Sequence, residues 1–160
     1  MDKPGRPLLF ICWILLIVYF ALLTRSILFK KGLTYFRQHF ASEYRHYSIK
    51  EGWKTANTVP FHTIRNFYNS QRLDSDYKTS NLLGNLVGFV PLGLLLPVVW
   101  AFFRRWWSIL LAGLLVSLGY ECTQLFFGLG VFDVDDLILN TAGTLAGYIC
   151  YRVLWLIFKS

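Results

Sequence analysis

The sequence is poor in the residues on which most enzymatic chemistry is built. Nine Asp and Glu stand beside sixteen Lys and Arg, and charged residues make up only 16% of the 160 positions, too few for an ordinary soluble domain. Cysteines number three, and Cys12, Cys122 and Cys150 all fall inside apolar segments. The odd count and the lack of any C-x-x-C spacing exclude a disulfide framework and a thiolate metal site, and a buried cysteine usually acts as a small hydrophobe. HExxH, a glycine-rich phosphate loop and a nucleophile motif are missing, and the Asp133–Asp136 run lacks the spacing of a calcium loop. No metal or cofactor is therefore expected, and an enzymatic role is the less favoured one. No internal repeat or low-complexity tract is visible.

Apolar residues are abundant instead. They form 55% of the chain, with 18% aromatic and a mean hydropathy of +0.44. Segments 8–28, 82–103, 106–127 and 137–158 have spanning character, since a helix needs about 20 apolar residues to cross a bilayer core. The first reaches that length by running past Thr24 and Arg25, because an arginine near a helix end can snorkel. A cleaved signal peptide is the alternative, but Thr24-Arg25-Ser26 is a poor cleavage site. A soluble four-helix bundle fails on pattern, because the last three segments are apolar nearly all round. The expectation is an all-α membrane protein of one domain, residues 1–160. It forms a compact bundle of about four transmembrane helices, with a long loop, 29–81, between the first and second.

That loop mixes cations with Tyr35, Phe36, Phe40, Tyr44, Tyr47, Trp53, Phe61, Phe67 and Tyr68. The mixture suits the headgroup level of a membrane better than nucleic acid, which is not expected as a partner. Lys3, Arg6, Arg104, Arg105, Arg152 and Lys159 share one side, and by the positive-inside rule both termini are cytoplasmic. Ten basic residues between Thr24 and Ser80 argue the opposite, although long loops translocate with less regard to charge.

Either orientation brings the polar groups at membrane depth to one end of the bundle. Asn81 and Asn85 open the second span, Glu121 and Gln124 close the third with Ser117 one turn before, and Asp133, Asp135, Asp136 and Asn140 lead into the fourth. Such side chains are costly in lipid and usually face a bundle interior or a watery cavity. Interhelical glue is the bland reading of Asn85 and Asn140. Gly84, Gly88, Gly143 and Gly147 would let helix backbones approach, and Pro91 and Pro97 should kink the second span. Mutual repulsion of the aspartates asks for an offsetting cation, with His62, Arg65 and Arg72 preferred over a bound metal.

At these residues the chain resembles the VanZ-like family of small bacterial membrane proteins. NTVPF at Asn57–Phe61, followed by Thr63-Ile64, is the first block that matches. The second is NLLGNLVGFVPLGLLLP at Asn81–Pro97. YECTQLF at Tyr120–Phe126 and FDVDDLILNTAGTLAGY at Phe132–Tyr148 complete the match, which covers Asn57 to Tyr151. Many members carry a basic residue between the last two blocks, and Gly128–Val131 has none.

The resemblance implies a multi-pass protein of the bacterial cell membrane. The family takes its name from a member that lowers susceptibility to teicoplanin, a lipid-tailed glycopeptide antibiotic. Carried over by motif, Asn57, Asn81, Asn85, Glu121, Gln124, Asp133, Asp135, Asp136 and Asn140 are the candidate ligand-binding residues. Pro60, Phe61, Phe89, Pro91, Gly93, Phe132 and Gly143 are the candidate structural ones. The leading expectation is a non-catalytic envelope protein whose polar mouth binds an amphipathic molecule, or alters lipids or cell-wall precursors at the outer face. Membrane lipid, a lipoglycopeptide antibiotic or a cell-wall precursor are its expected partners. The alternative is an intramembrane enzyme acting on a lipid headgroup or prenyl-phosphate through Glu121 and Asp133, Asp135 or Asp136. An ion pathway is a third possibility, which four narrow spans could form only as an oligomer.

Overall fold

The computed structural model describes residues 5–69 and 75–158, and of these the side chains outside Leu33, Glu43, Arg45 and 67–81. Four helical spans are long and apolar enough to cross a membrane: Arg6–Leu28, Leu82–Val99, Trp106–Phe127 and Val134–Phe158. The first is helix α1, Arg6–Leu28, which starts with Pro7 in its first turn, where a missing N–H costs nothing. Short helices α2 (Gly32–Gln38), α3 (Ile49–Lys54) and α4 (His62–Asn69) follow.

The second span is two helices, α5 (Ser75–Gly88) and α6 (Val90–Val99). The break falls at Phe89, two residues ahead of Pro91, which has no N–H to offer the Val87 carbonyl and whose ring crowds it. Past Pro97 the chain leaves the helix, and Trp100 is extended, so the span ends at Val99 rather than at Phe103. Helix α7 (Trp106–Phe127) stops at Gly128, which takes a left-handed φ of 64° that glycine adopts freely. Helix α8 (Val134–Phe158) begins three residues earlier than expected, because the Asp133 carboxylate caps it by accepting the Asp135 N–H at 2.8 Å.

Helix α8 is the centre of the bundle and packs on α5, α6 and α7, while α1 lies outside against α6 and α7. A Cβ at Gly143 would overlap the Leu86 carbonyl, and one at Gly147 the Val90 carbonyl. Helix α6 reciprocates, since a Cβ at Gly93 would overlap the Thr144 carbonyl. These contacts are backbone on backbone, the approach that small residues permit in lipid. Helix α1 turns Leu8, Phe10, Ile11, Ile14, Ile17 and Leu22 outward, as a lipid-facing helix does.

Residues 29–69 fall within the long connection expected between the first and second spans. They fold into short helices, including a π-helical turn at His39–Glu43, and dock on the end of the bundle. His39 Nε2 lies 2.8 Å from the Phe127 carbonyl, and the Tyr47 hydroxyl donates to the Leu125 carbonyl. Phe29, Phe36, Phe40 and Tyr44 pack in succession, and Tyr44 stacks on Phe127. The aromatic content of this segment thus has packing partners within the protein.

Candidate functional site

Two short sequence blocks, far apart in the chain, are joined at one end of the bundle. Asn57 pairs in a parallel bridge with Asp133: its N–H donates to the Phe132 carbonyl at 2.8 Å, and its carbonyl accepts the Val134 N–H at 3.0 Å. The Asn57 side-chain amide donates to the Asp133 carboxylate at 2.8 Å, and the Thr63 hydroxyl does so at 2.7 Å. Asp135 is fully buried. Its carboxylate accepts the main-chain N–H groups of Phe61, of Thr63 at 2.6 Å and of Ile64 at 3.1 Å. The first turn of α4 therefore closes on Asp135 as a helix N-terminus closes on an anion.

Phe61 carries a φ of 63°, left-handed and strained for a residue with a side chain. Its N–H bond to Asp135 helps to hold that conformation. Phe132 is buried beneath this junction and packs on Trp53, ring centres 5.5 Å apart. Asn57, Asp133 and Asp135 thus have internal partners, and the negative charge of both aspartates is met by N–H, amide and hydroxyl donors. The expected cations are placed differently: Arg65 is exposed, His62 stands at the rim of the cavity described next, and Arg72 lies outside the described residues.

Beside this junction is an open cavity of about 800 Å³. Asn85, Glu121, Gln124, Asp133, Asp136 and Asn140 line it, and α1 adds Ser26 with Lys30 and Lys31 just beyond its end. Glu121 is 2% exposed, and its Oε2 accepts the Asp133 N–H at 2.9 Å. Asn85 lies within hydrogen-bonding reach of the Asp136 carboxylate, and the charge of Lys30 reaches both Glu121 and Asp136. Gln124 donates to the Ile27 carbonyl at 3.2 Å and ties α7 to α1. Asn140 donates to Ser117 Oγ at 2.8 Å, a bond between α8 and α7, while its Oδ1 is buried with no partner among the described residues.

Six of the nine candidate ligand-binding residues therefore meet in one cavity. Asn57 and Asp135 brace its wall, and the side chain of Asn81 lies outside the described residues. Of the structural candidates, Phe89 is buried at the helix break and also lines the cavity. Pro91 starts α6, Gly93 and Gly143 make the close contacts, and Pro60 precedes the strained Phe61. Lys30 and Lys31 were missed as cavity residues. Their signal was available, since a lysine pair at the end of the first span must lie on the same side as the polar mouth. Among the described residues no group of three His, Cys, Asp or Glu side chains is placed to hold a metal ion.

The family described as VanZ/LLP1 matches residues 10–157. That range extends the likeness read from the motifs beyond Asn57 to include the first span, which supplies one wall of the cavity. No curated protein and no solved structure matches the chain. With a match over nearly its whole length and four membrane-type helices around a shared polar cavity, the chain belongs to the VanZ-like family.

Proposed function

We propose that this VanZ-like protein binds an amphipathic molecule in the cavity between α1, α5, α7 and α8, and so lowers susceptibility to lipid-tailed glycopeptides such as teicoplanin. The orientation that goes with this reading puts both termini in the cytoplasm and the cavity at the outer face. One observation carries it: Glu121, Asp136, Asn85 and Asn140 line a cavity of about 800 Å³ at one end of an otherwise apolar bundle. That volume is in the range of small-molecule sites. Buried carboxylates and amides at membrane depth are expensive unless a function retains them.

The test is expression in a susceptible Gram-positive host, with teicoplanin compared against vancomycin. The expected result is a higher inhibitory concentration for teicoplanin alone, because only teicoplanin carries the lipid tail. Glu121→Gln should abolish the difference at unchanged expression. An equal shift for both drugs, or none for either, refutes the proposal.

A second reading has its own observation. Two carboxylates, Glu121 and Asp136, face the same cavity, as a general acid and base would in an enzyme acting on a lipid headgroup or prenyl-phosphate. Turnover of a labelled lipid by the purified protein, lost in both Glu121→Gln and Asp136→Asn, would decide for it.

A further inference from the structure

The closed end of the cavity and its rim have opposite chemistry. At the closed end stand Glu121, Asp136 and Asn140. Asn140 is 3% exposed, and its Oδ1 has no hydrogen-bond partner among the described residues. Glu121 accepts the Asp133 N–H and Asp136 has Asn85 within reach, which leaves further lone pairs on each carboxylate. This set of acceptors calls for a ligand group with several hydrogen-bond donors and a positive charge. At the rim stand Lys30 and Lys31, both exposed, which call for an anion.

The cavity is also reached from the side. Helices α1 and α5 are tied where the Tyr19 hydroxyl donates to the Gly88 carbonyl at 3.0 Å. Nearer the lysines, a Cβ at Gly84 would meet nothing within 4 Å among the described residues. Leu22 on α1 and Leu83 and Val87 on α5 are exposed apolar residues of the same two helices. They lie within the spans Arg6–Leu28 and Leu82–Val99, so apolar chains attached to a ligand could stay in the bilayer.

We propose that the cavity takes the headgroup of a primary-amine phospholipid, an aminoethyl phosphate diester, entering sideways between α1 and α5. Its ammonium sits among Glu121, Asp136 and Asn140 Oδ1, and its phosphate meets Lys30 and Lys31. This deepens the reading above and rests on the same cavity. The ammonium supplies three N–H donors, one for each acceptor residue. A choline headgroup has the charge but no N–H. Phosphatidic acid has the phosphate but no cation, and phosphatidylglycerol has hydroxyl donors but no positive charge.

The experiment uses the full chain purified in detergent and short-chain phosphatidylethanolamine, phosphatidylcholine, phosphatidylglycerol and phosphatidic acid, with binding read by native mass spectrometry. Phosphatidylethanolamine should bind about tenfold or more tighter than the other three, the equivalent of one hydrogen bond to a charged group. Asp136→Asn should erase that preference without weakening phosphatidic acid. Lys30→Gln combined with Lys31→Gln should weaken both lipids together. Equal binding of any of the other three lipids, or no lipid binding, overturns the proposal. So does a site filled by calcium or magnesium that chelator empties. The four-lipid comparison on the unaltered chain decides the matter even if Asp136→Asn fails to fold. Loss of the amine preference in a chain that still protects against teicoplanin sinks this inference alone. Amine preference in a chain that gives no protection sinks the antibiotic reading alone.

Discussion

Asp135→Asn is the sharpest perturbation of the junction. The carboxylate accepts three main-chain N–H groups, from Phe61, Thr63 and Ile64. An amide keeps the size but turns one acceptor oxygen into a donor. If the new NH₂ replaces Oδ2, the Thr63 and Ile64 N–H groups both face a donor. Two hydrogen bonds to a charged group are then lost, about 3–6 kcal/mol at 1.5–3 kcal/mol each. The protein need not bear that whole cost, because α4 can detach. Detachment also releases the left-handed Phe61, worth roughly 1–2 kcal/mol. The loss should therefore surface as local opening, since segments open at whatever free energy holds them and leave the rest intact.

Limited trypsin digestion in detergent reads this directly, at Lys54 before the junction and Arg65 on α4. Cleavage there should accelerate about tenfold or more in Asp135→Asn, because it tracks the open population when reclosing is fast. The bundle itself should stay monodisperse by size exclusion. Asp136→Asn, one residue on and facing the cavity, is the control and should digest like the unaltered chain. If Asp135→Asn digests no faster than that control, the three N–H bonds do not hold α4 and the account of the junction is wrong.

Gly143→Ala and Gly147→Ala each drive a Cβ into a carbonyl of the second span. Each should destabilise by about 1–3 kcal/mol as overpacking does, seen as a lower melting temperature in detergent, while Gly119→Ala, with open space at its Cβ, should melt normally. Asn85→Ala removes an amide within reach of Asp136 and should cost roughly 0.6–2 kcal/mol in the same assay if it bonds across helices, and an unchanged melting temperature would leave Asn85 without a packing role. For orientation, Ser42→Cys and Val131→Cys in a cysteine-free background should both react with an impermeant reagent added outside intact cells, and Arg105→Cys should not. Reaction at only one of the first two positions would break the four-span arrangement.

Much of this was legible because lipid simplifies the code. Long apolar runs marked the four spans, and the third was located to the residue at both ends, since Arg105 and Gly128 punctuate it. The convergence of Asn85, Glu121, Gln124, Asp133, Asp136 and Asn140 followed from counting spans, without any knowledge of packing. The start of α8 was misplaced because Val134, Asp135 and Asp136 read as a polar approach to a helix, whereas Asp133 caps them into its first turn. Residues 29–69 were read as a loop because their helices are short, and docking on α7 holds them more than local pattern does. The division of labour among the aspartates was hidden for a related reason. Spacing sets which face of α8 a residue occupies, but the N–H groups that occupy Asp135 come from more than seventy positions away.

That division has a consequence for how the cavity works. Asp133 caps α8 and Asp135 and Asp136 sit in its first turn, yet Asp133 and Asp135 hold α4 while Asp136 faces the cavity with Glu121. Glu121 in turn accepts the Asp133 N–H, so the buried acid of the cavity and the brace of its wall are bonded to one residue. His62, Thr63 and Asn66, on the helix that Asp135 anchors, line the same cavity. Opening of α4 would thus remove one wall and admit water to Glu121, weakening every electrostatic contact there as the local dielectric rises. A ligand that touches α4 and the cavity floor together would oppose that opening by its own binding free energy. Occupancy and the α4 junction are therefore coupled in both directions: protection of Arg65 from trypsin should rise as the cavity fills, and Asp135→Asn should lower affinity without touching the ligand.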